Sequence, residues 1–409
     1  MTIIFKKFIK TIFLIAIFIL ANCLQSNGNH SSNVNYKYNT FYYFLYFGYF
    51  QLTSSMSLSR TFHTSNLLND GKVVIIGGSS VSDTDPAEIY DYTTGLYSNT
   101  GNMIVTRYAH TSTLLSNGNV LVIGGRNSSS GTLSSTEIFS PSTLSFSSGP
   151  TLNSARYGHT ATLLSNGKVL ICGGFFPGTG SLNSAELYDP TTNSFSTINS
   201  MQIKRGSHTA TKLSNGKVVV VAGYDQTSLS SLSSSEIYDP DTGIFSVLGD
   251  LTTSRNSHSA VLLPDGNILI SGGLNSSTGV SLLTDEIFNF STNLFYSTSN
   301  MNTARHQHSA VLLANGKVLL TGGIRSTSST KFTVLNTAEI YDYRISSMIA
   351  PNTLLISRNG HTTTLLPNGN VLISGGTSSN SVILSSSEIY FSEPVISNDY
   401  LIYYYLKEK

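Results

Sequence analysis

RYGHTATLLSNGKVLICGG, residues 156–174, recurs with small changes seven times along this chain. The constant frame is Arg, two variable residues, His, a partly alternating stretch, Asn-Gly or Asp-Gly, an apolar run and a Gly pair. The Arg/His pairs are Arg60/His63, Arg107/His110, Arg156/His159, Arg205/His208, Arg255/His258, Arg305/His308 and Arg358/His361, spaced 47–53 residues apart. A fixed period of this length marks a repeat architecture, in which each unit buries its apolar face only against its neighbours.

Spacing inside the unit separates rigid from adjustable parts. From His to the first residue of the Gly pair is always 14 residues, and from the Glu of the later Glu-Ile/Leu-Tyr/Phe triplet to the next Arg is always 19. All length variation, 11–17 residues, lies between the Gly pair and that Glu. Asn-Gly and Asp-Gly tolerate the positive φ angles of a type I′ turn, so each copy starts with a hairpin. Its second strand, such as KVLIC or KVVVV, is apolar throughout and requires cover on both faces. A third strand carries the Glu, and a short fourth carries an aromatic, as at Tyr97, Phe146, Phe195, Phe245 and Phe295. Four antiparallel strands repeated every 40–50 residues make an all-β propeller of seven blades.

The seventh copy stops after Glu388-Ile389-Tyr390 and lacks a fourth strand. Intact copies place an aromatic or Met 10 residues before the Arg and a Met or Leu 4 before it; Phe50 and Met56 fill those slots ahead of Arg60. The N-terminal strand therefore completes the last blade, removing a sheet edge open to wrong pairing. The propeller is assigned to residues 47–391. FYYFLYF (41–47) and DYLIYYYL (399–406), within the C-terminal tail 392–409, are expected to pack beside this closing blade.

Net charge is +1 and charged residues are 11% of 409, which excludes the basic stripe of a nucleic-acid binder. Two cysteines, Cys23 and Cys172, exclude a disulfide framework. Lys6, Lys7 and Lys10 precede the apolar run TIFLIAIFILA (11–21), too short for a comfortable membrane span and suited to a signal peptide over 1–22. Leu-Ala-Asn-Cys at 20–23 resembles a bacterial lipobox, implying acylation at Cys23, with residues 23–46 a lipidated tether and linker that is polar over 24–40.

Gly-Gly after an apolar strand, then Glu-x-Tyr-Asp, then an aromatic resembles the kelch repeat. The fuller R-x-x-H…G-K-V-L-x-x-G-G wording is similar to bacterial kelch proteins and to the propeller domain of galactose oxidase. That resemblance implies either a binding scaffold or an enzyme working at the axial cleft, such as a radical-copper oxidase built from two His, two Tyr and a Tyr-Cys crosslink, or a sugar-isomerising kelch enzyme.

A residue used identically in every blade answers a need every blade has. The repeat residues Arg156, His159, Gly173, Gly174 and Glu186, with their counterparts, are therefore read as structural, Arg pairing with Glu and His with backbone, because a buried charge needs a partner. Cys172 occupies a small core slot, and His306, in His-x-His, adds a potential metal ligand to the pattern. The binding candidates are the residues after the Gly pairs, where a rigid frame carries variable chemistry: Arg126, Asn127, Phe175, Phe176, Tyr224, Asp225, Asn275 and Arg325. The sequence thus describes an exported, lipid-anchored, monomeric propeller of a bacterial cell envelope, binding a protein or glycan without a cofactor, with the axial enzyme as the alternative.

Overall fold

The computed structural model describes residues 48–79, 86–349 and 353–392. The expectations for the leader, Cys23, the tether, FYYFLYF and the tail beyond residue 392 lie outside the described residues.

Seven four-stranded antiparallel sheets form among the described residues. Six are local in sequence, at 64–102, 111–148, 160–198, 209–255, 259–297 and 309–349. In the third, Thr160–Leu163, Val169–Cys172, Ala185–Asp189 and Ser194–Ile198 pair in chain order from the axis outward. The seventh joins Thr362–Leu365, Val371–Ser374 and Ser387–Phe391 to Tyr49–Leu52. Its closing register sets Phe50 opposite Tyr390, as the repeat spacing requires.

The second strand of every blade is buried from end to end. Each of the seven junctions between blades holds its own apolar cluster. Between the first and second blades, Val74 and Ile76 meet Val120, Val122 and Phe139; between the seventh and first, Leu372 and Ile389 meet Val73 and Ile75. Fully burying one such side chain contributes about 1.5–3 kcal/mol. The core is thus a ring of seven seams rather than one centre.

Three sets of polar contacts repeat around the ring. First, the Arg of each unit forms an ion pair with its Glu, 2.6–3.0 Å apart and shut from solvent. Arg156 also donates to the carbonyls of Gly173 and Ser184, and Glu186 accepts from the backbone of Asn153 and Ser154 in the incoming link. Second, the second Gly of each pair donates to the Arg carbonyl of the next blade, from Gly78 to Arg107 at 2.8 Å round to Gly376 to Arg60 at 2.9 Å. A Cβ at Gly77 would come within 2.5 Å of that Arg107 oxygen, and its φ of +61° suits glycine. Ala222 keeps the equivalent φ at +55°.

The third set differs from expectation. The repeat His bonds a hydroxyl of the preceding blade, not backbone: His63 to Thr362, His110 to Thr64, His159 to Thr111, His208 to Thr160, His258 to Thr209 and His308 to Ser259, at 2.8–3.0 Å. His361 reaches Thr321 instead, while Ser309 bonds Thr363. A first-strand hydroxyl lies at hand where a buried carbonyl is already taken by the sheet.

Candidate functional site: the loop face and axial mouth

In the second to sixth blades the chain between the Gly pair and the third strand is structured. Short ribbons form at Arg126–Asn127/Gly131–Thr132, Phe175–Phe176/Gly180–Ser181, Tyr224–Asp225 with Ser230–Asp239, Leu274–Asn275/Val280–Ser281 and Ile324–Ser326/Phe332–Val334. Ser181, Ser231 and Ser281 each bond the next ribbon's carbonyl at 3.0–3.2 Å and accept a backbone N–H from it. The ribbons of the third to sixth blades are thereby tied into a stiff fence around part of one face.

The residue after each Gly pair also bridges the residue after the Arg in the same blade. Two rows of unlike side chains result. One runs Thr61, Tyr108, Tyr157, Gly206, Asn256, His306, Asn359; the other Ser79, Arg126, Phe175, Tyr224, Leu274, Ile324, Thr377. The second to fourth blades carry an aromatic ladder. The Arg126 guanidinium lies 5.1 Å over the Tyr157 ring, Tyr157 lies 5.3 Å from Phe175, and Phe175 lies 6.3 Å from Tyr224. A side chain on Gly206 would overlap the Phe175 ring, so glycine there lets that ring lie flat. The fifth to seventh blades present amides and an imidazole instead.

The sequence candidates divide by what they touch. Phe175 is buried inside the ladder, Tyr224 is half-buried at its end, and Phe176 and Arg325 project into solvent. Asn127, Asp225 and Asn275 cap their own turns, accepting N–H groups two or three residues on. His306 does not pair with His308: its Nδ1 bonds Ser281 at 2.8 Å, whereas His308 faces Ser259. Burial holds the His306 pKa down to about 4. Cys172 is buried 3.2 Å from Thr160 Oγ1 and 3.8 Å from His208 Nε2, and burial pushes its thiol up to about 11.

One row escaped the sequence reading. The residue just before each repeat His has positive φ in all seven blades: Phe62, Ala109, Gly158, Ser207, Ser257, Gln307 and Gly360, at +49° to +61°. Its N–H donates to the carbonyl of the same residue one blade back, from Phe62 to Gly360 at 2.9 Å round to Gly360 to Gln307 at 3.5 Å. Seven peptide hydrogen bonds close head to tail around the axis. The signal was present, since the dipeptide between Arg and His is different in every copy while its flanks are not. Beneath this ring lies an axial channel of about 460 Å³ lined by Thr and Ser of the first strands and by repeat His. A shallower mouth of about 320 Å³ opens on the loop side.

Desolvation, then the neighbouring Arg, lowers the repeat His: to about 3 at His110, His258 and His361, and well below the ordinary value at the other four. The channel wall is thus uncharged.

The sequence pattern of the KLHDC2/KLHL20/DRC7 Kelch-repeats domain matches residues 62–273, from the axial ring of the first blade to the Gly pair of the fifth. The chain belongs to the kelch-repeat family. No curated protein matches it. Among solved structures, this kelch propeller is similar in fold to a fungal alcohol oxidase of the AA5 family in complex with copper. The TM-score is 0.67 at 16% identity, over 84% of this chain and 76% of that one. The donors here do not fit a copper centre of Tyr, Cys and His. Cys172 bonds Thr160 and His208, each repeat His is bonded to a hydroxyl, and no group of three or more His, Cys, Asp or Glu is placed to hold a metal ion among the described residues.

Proposed function

We propose that this kelch propeller is a binding module that holds a protein or glycan partner on its ribbon face, exported to the bacterial cell envelope and anchored by a lipid on Cys23. One observation carries the binding reading. Around an identical frame of ion pairs and peptide hydrogen bonds, the bridged pair is different in every blade, and the ribbons of the third to sixth blades are tied together. Rigid presentation lowers the ordering cost of binding, and an aromatic ladder ending in Arg supplies the residue types that anchor interfaces. The export reading rests on the basic leader, the apolar run and the lipobox-like end at Cys23.

Two experiments test it. In a glycan and protein interaction screen with the full chain, exchanging residues 324–338 for the shorter fifth-blade loop should abolish or redirect the partner while the unfolding transition is kept; a partner indifferent to ribbons and rows sinks the proposal. For the anchor, Cys23→Ser should move the protein from the membrane to the soluble fraction and remove acyl labelling.

A further inference from the structure

Phe62 stands out within the axial ring. The same slot holds Ala109, Gly158, Ser207, Ser257, Gln307 and Gly360 in the other blades. A bulky aromatic at φ +54° is held in a conformation that L-residues avoid, and outliers of this kind concentrate at ligand sites. Its side chain is 40% exposed and joins none of the seven core clusters. Packing therefore does not account for it. The ring lies over Gly360, where an added Cβ would sit 3.3 Å from it, and it borders the mouth cavity opposite small or amide side chains.

We infer that the axial mouth is a binding site for one neutral sugar ring, stacked on Phe62 and hydrogen-bonded by Gln307, Ser207 and Ser257. This rests on the loop-face reading and names its ligand class. The mouth, about 320 Å³, is at the small end of ligand pockets and suits a single ring rather than a chain. No Asp, Glu, Lys or Arg lines it, so it offers nothing to a phosphate, carboxylate or amine. The six repeat His that also line it have Nε2 bonded to hydroxyls; what is left is one aromatic face, the Ser207 hydroxyl, the Ser257 oxygen, whose proton goes to Asn256, and an amide that both donates and accepts, complementary to a ring with an apolar face and hydroxyl edges. Ala109 and Gly360 leave the approach open. The half-exposed Tyr108 and Tyr157 lie one residue away in sequence from this ring, on the side where a longer glycan would continue.

Saturation-transfer NMR on the full chain with glucose, galactose, mannose and N-acetylglucosamine, and galacturonate as the charged control, tests it. Transfer to at least one neutral hexose and none to galacturonate is expected. Phe62→Gly, which copies Gly158 and Gly360, should reduce transfer at least about tenfold while the unfolding midpoint holds or rises by about 2 °C. No transfer from any neutral hexose, equal transfer from galacturonate, or transfer unchanged by Phe62→Gly overturns the site. Should Phe62→Gly lose its fold, Gln307→Ala decides: the midpoint must hold and transfer must fall about tenfold, or the site is rejected. A partner retained through the ribbons without any sugar signal refutes this site and leaves the loop-face reading standing.

Discussion

Acidification should unfold this protein at a pH where most globular domains are intact. Seven repeat His are buried, each with its pKa well below the usual value. The folded state cannot take up the proton that the unfolded chain accepts near pH 6.5. The stability tied to neutral His is therefore fully present above that pH and is lost as pH falls from about 6.5 towards 3. Each group contributes about 1.4 kcal/mol per pH unit once the unfolded form is protonated. At pH 5.5 seven such groups cost about 10 kcal/mol, as much as the whole stability of an ordinary domain. His306, lowered to about 4, adds to the slope. Asp285, whose carboxyl burial raises to about 8, opposes it, because its stabilising proton is bound by the folded state and lost as pH rises through that value. The two nearly cancel. Urea unfolding followed by circular dichroism at pH 7.5, 6.5, 6.0 and 5.5 gives the proton uptake directly. The expected uptake between pH 6.0 and 5.5 is about six protons, and His159→Gln should lower it by about one. An uptake of only one or two protons would refute neutral burial as the common state of the seven rings.

Three further predictions follow from single contacts. Asp285→Ala, which copies Ala87, Ala185 and Ala338 in the same slot, should raise stability at pH 7 by up to about 4 kcal/mol and by about 1.4 kcal/mol less at pH 6.0, measured as the same urea midpoints. Tyr97→Phe removes a hydroxyl bonded to Ser387 at 2.7 Å and Ser374 at 3.1 Å across the seam between the seventh and first blades; it should cost about 1–3 kcal/mol, because both serines are buried, and a neutral result would show that the seam rests on apolar packing alone. Glu286→Gln leaves the Arg255 charge buried without its 2.6 Å partner and should lower stability by about 3–5 kcal/mol.

The blades were legible because their contacts are local. Asn-Gly turns, apolar second strands and the 19-residue link from Glu to Arg lie within one unit, and the closing strand followed from the same spacing at Phe50 and Met56. The His contact was not legible as read, because it joins residues of neighbouring blades. Yet each repeat His is followed by Thr or Ser in all seven copies, from His63-Thr64 to His361-Thr362, and at six of the seven junctions that residue is the hydroxyl partner of the next blade's His. The ribbons were missed because Gly-, Ser- and Thr-rich segments look like solvated loops, whereas here Ser181, Ser231 and Ser281 stitch them to one another. Phe62 was overlooked for the opposite reason: a site read as spacer carried the departure.

The belt of seven amides at the axis also bears on how such a molecule can be remodelled. In a line of links an extra unit is spliced in at one joint, but a loop with neither start nor finish must be cut and redrawn around its full circumference. The 3.5 Å link from Gly360 to Gln307 is the longest of the seven, and it coincides with the widest repeat interval, 53 residues, and with the His361 that chose another partner. That junction is where an inserted or deleted unit would meet least resistance, and where the count of seven is least firmly kept.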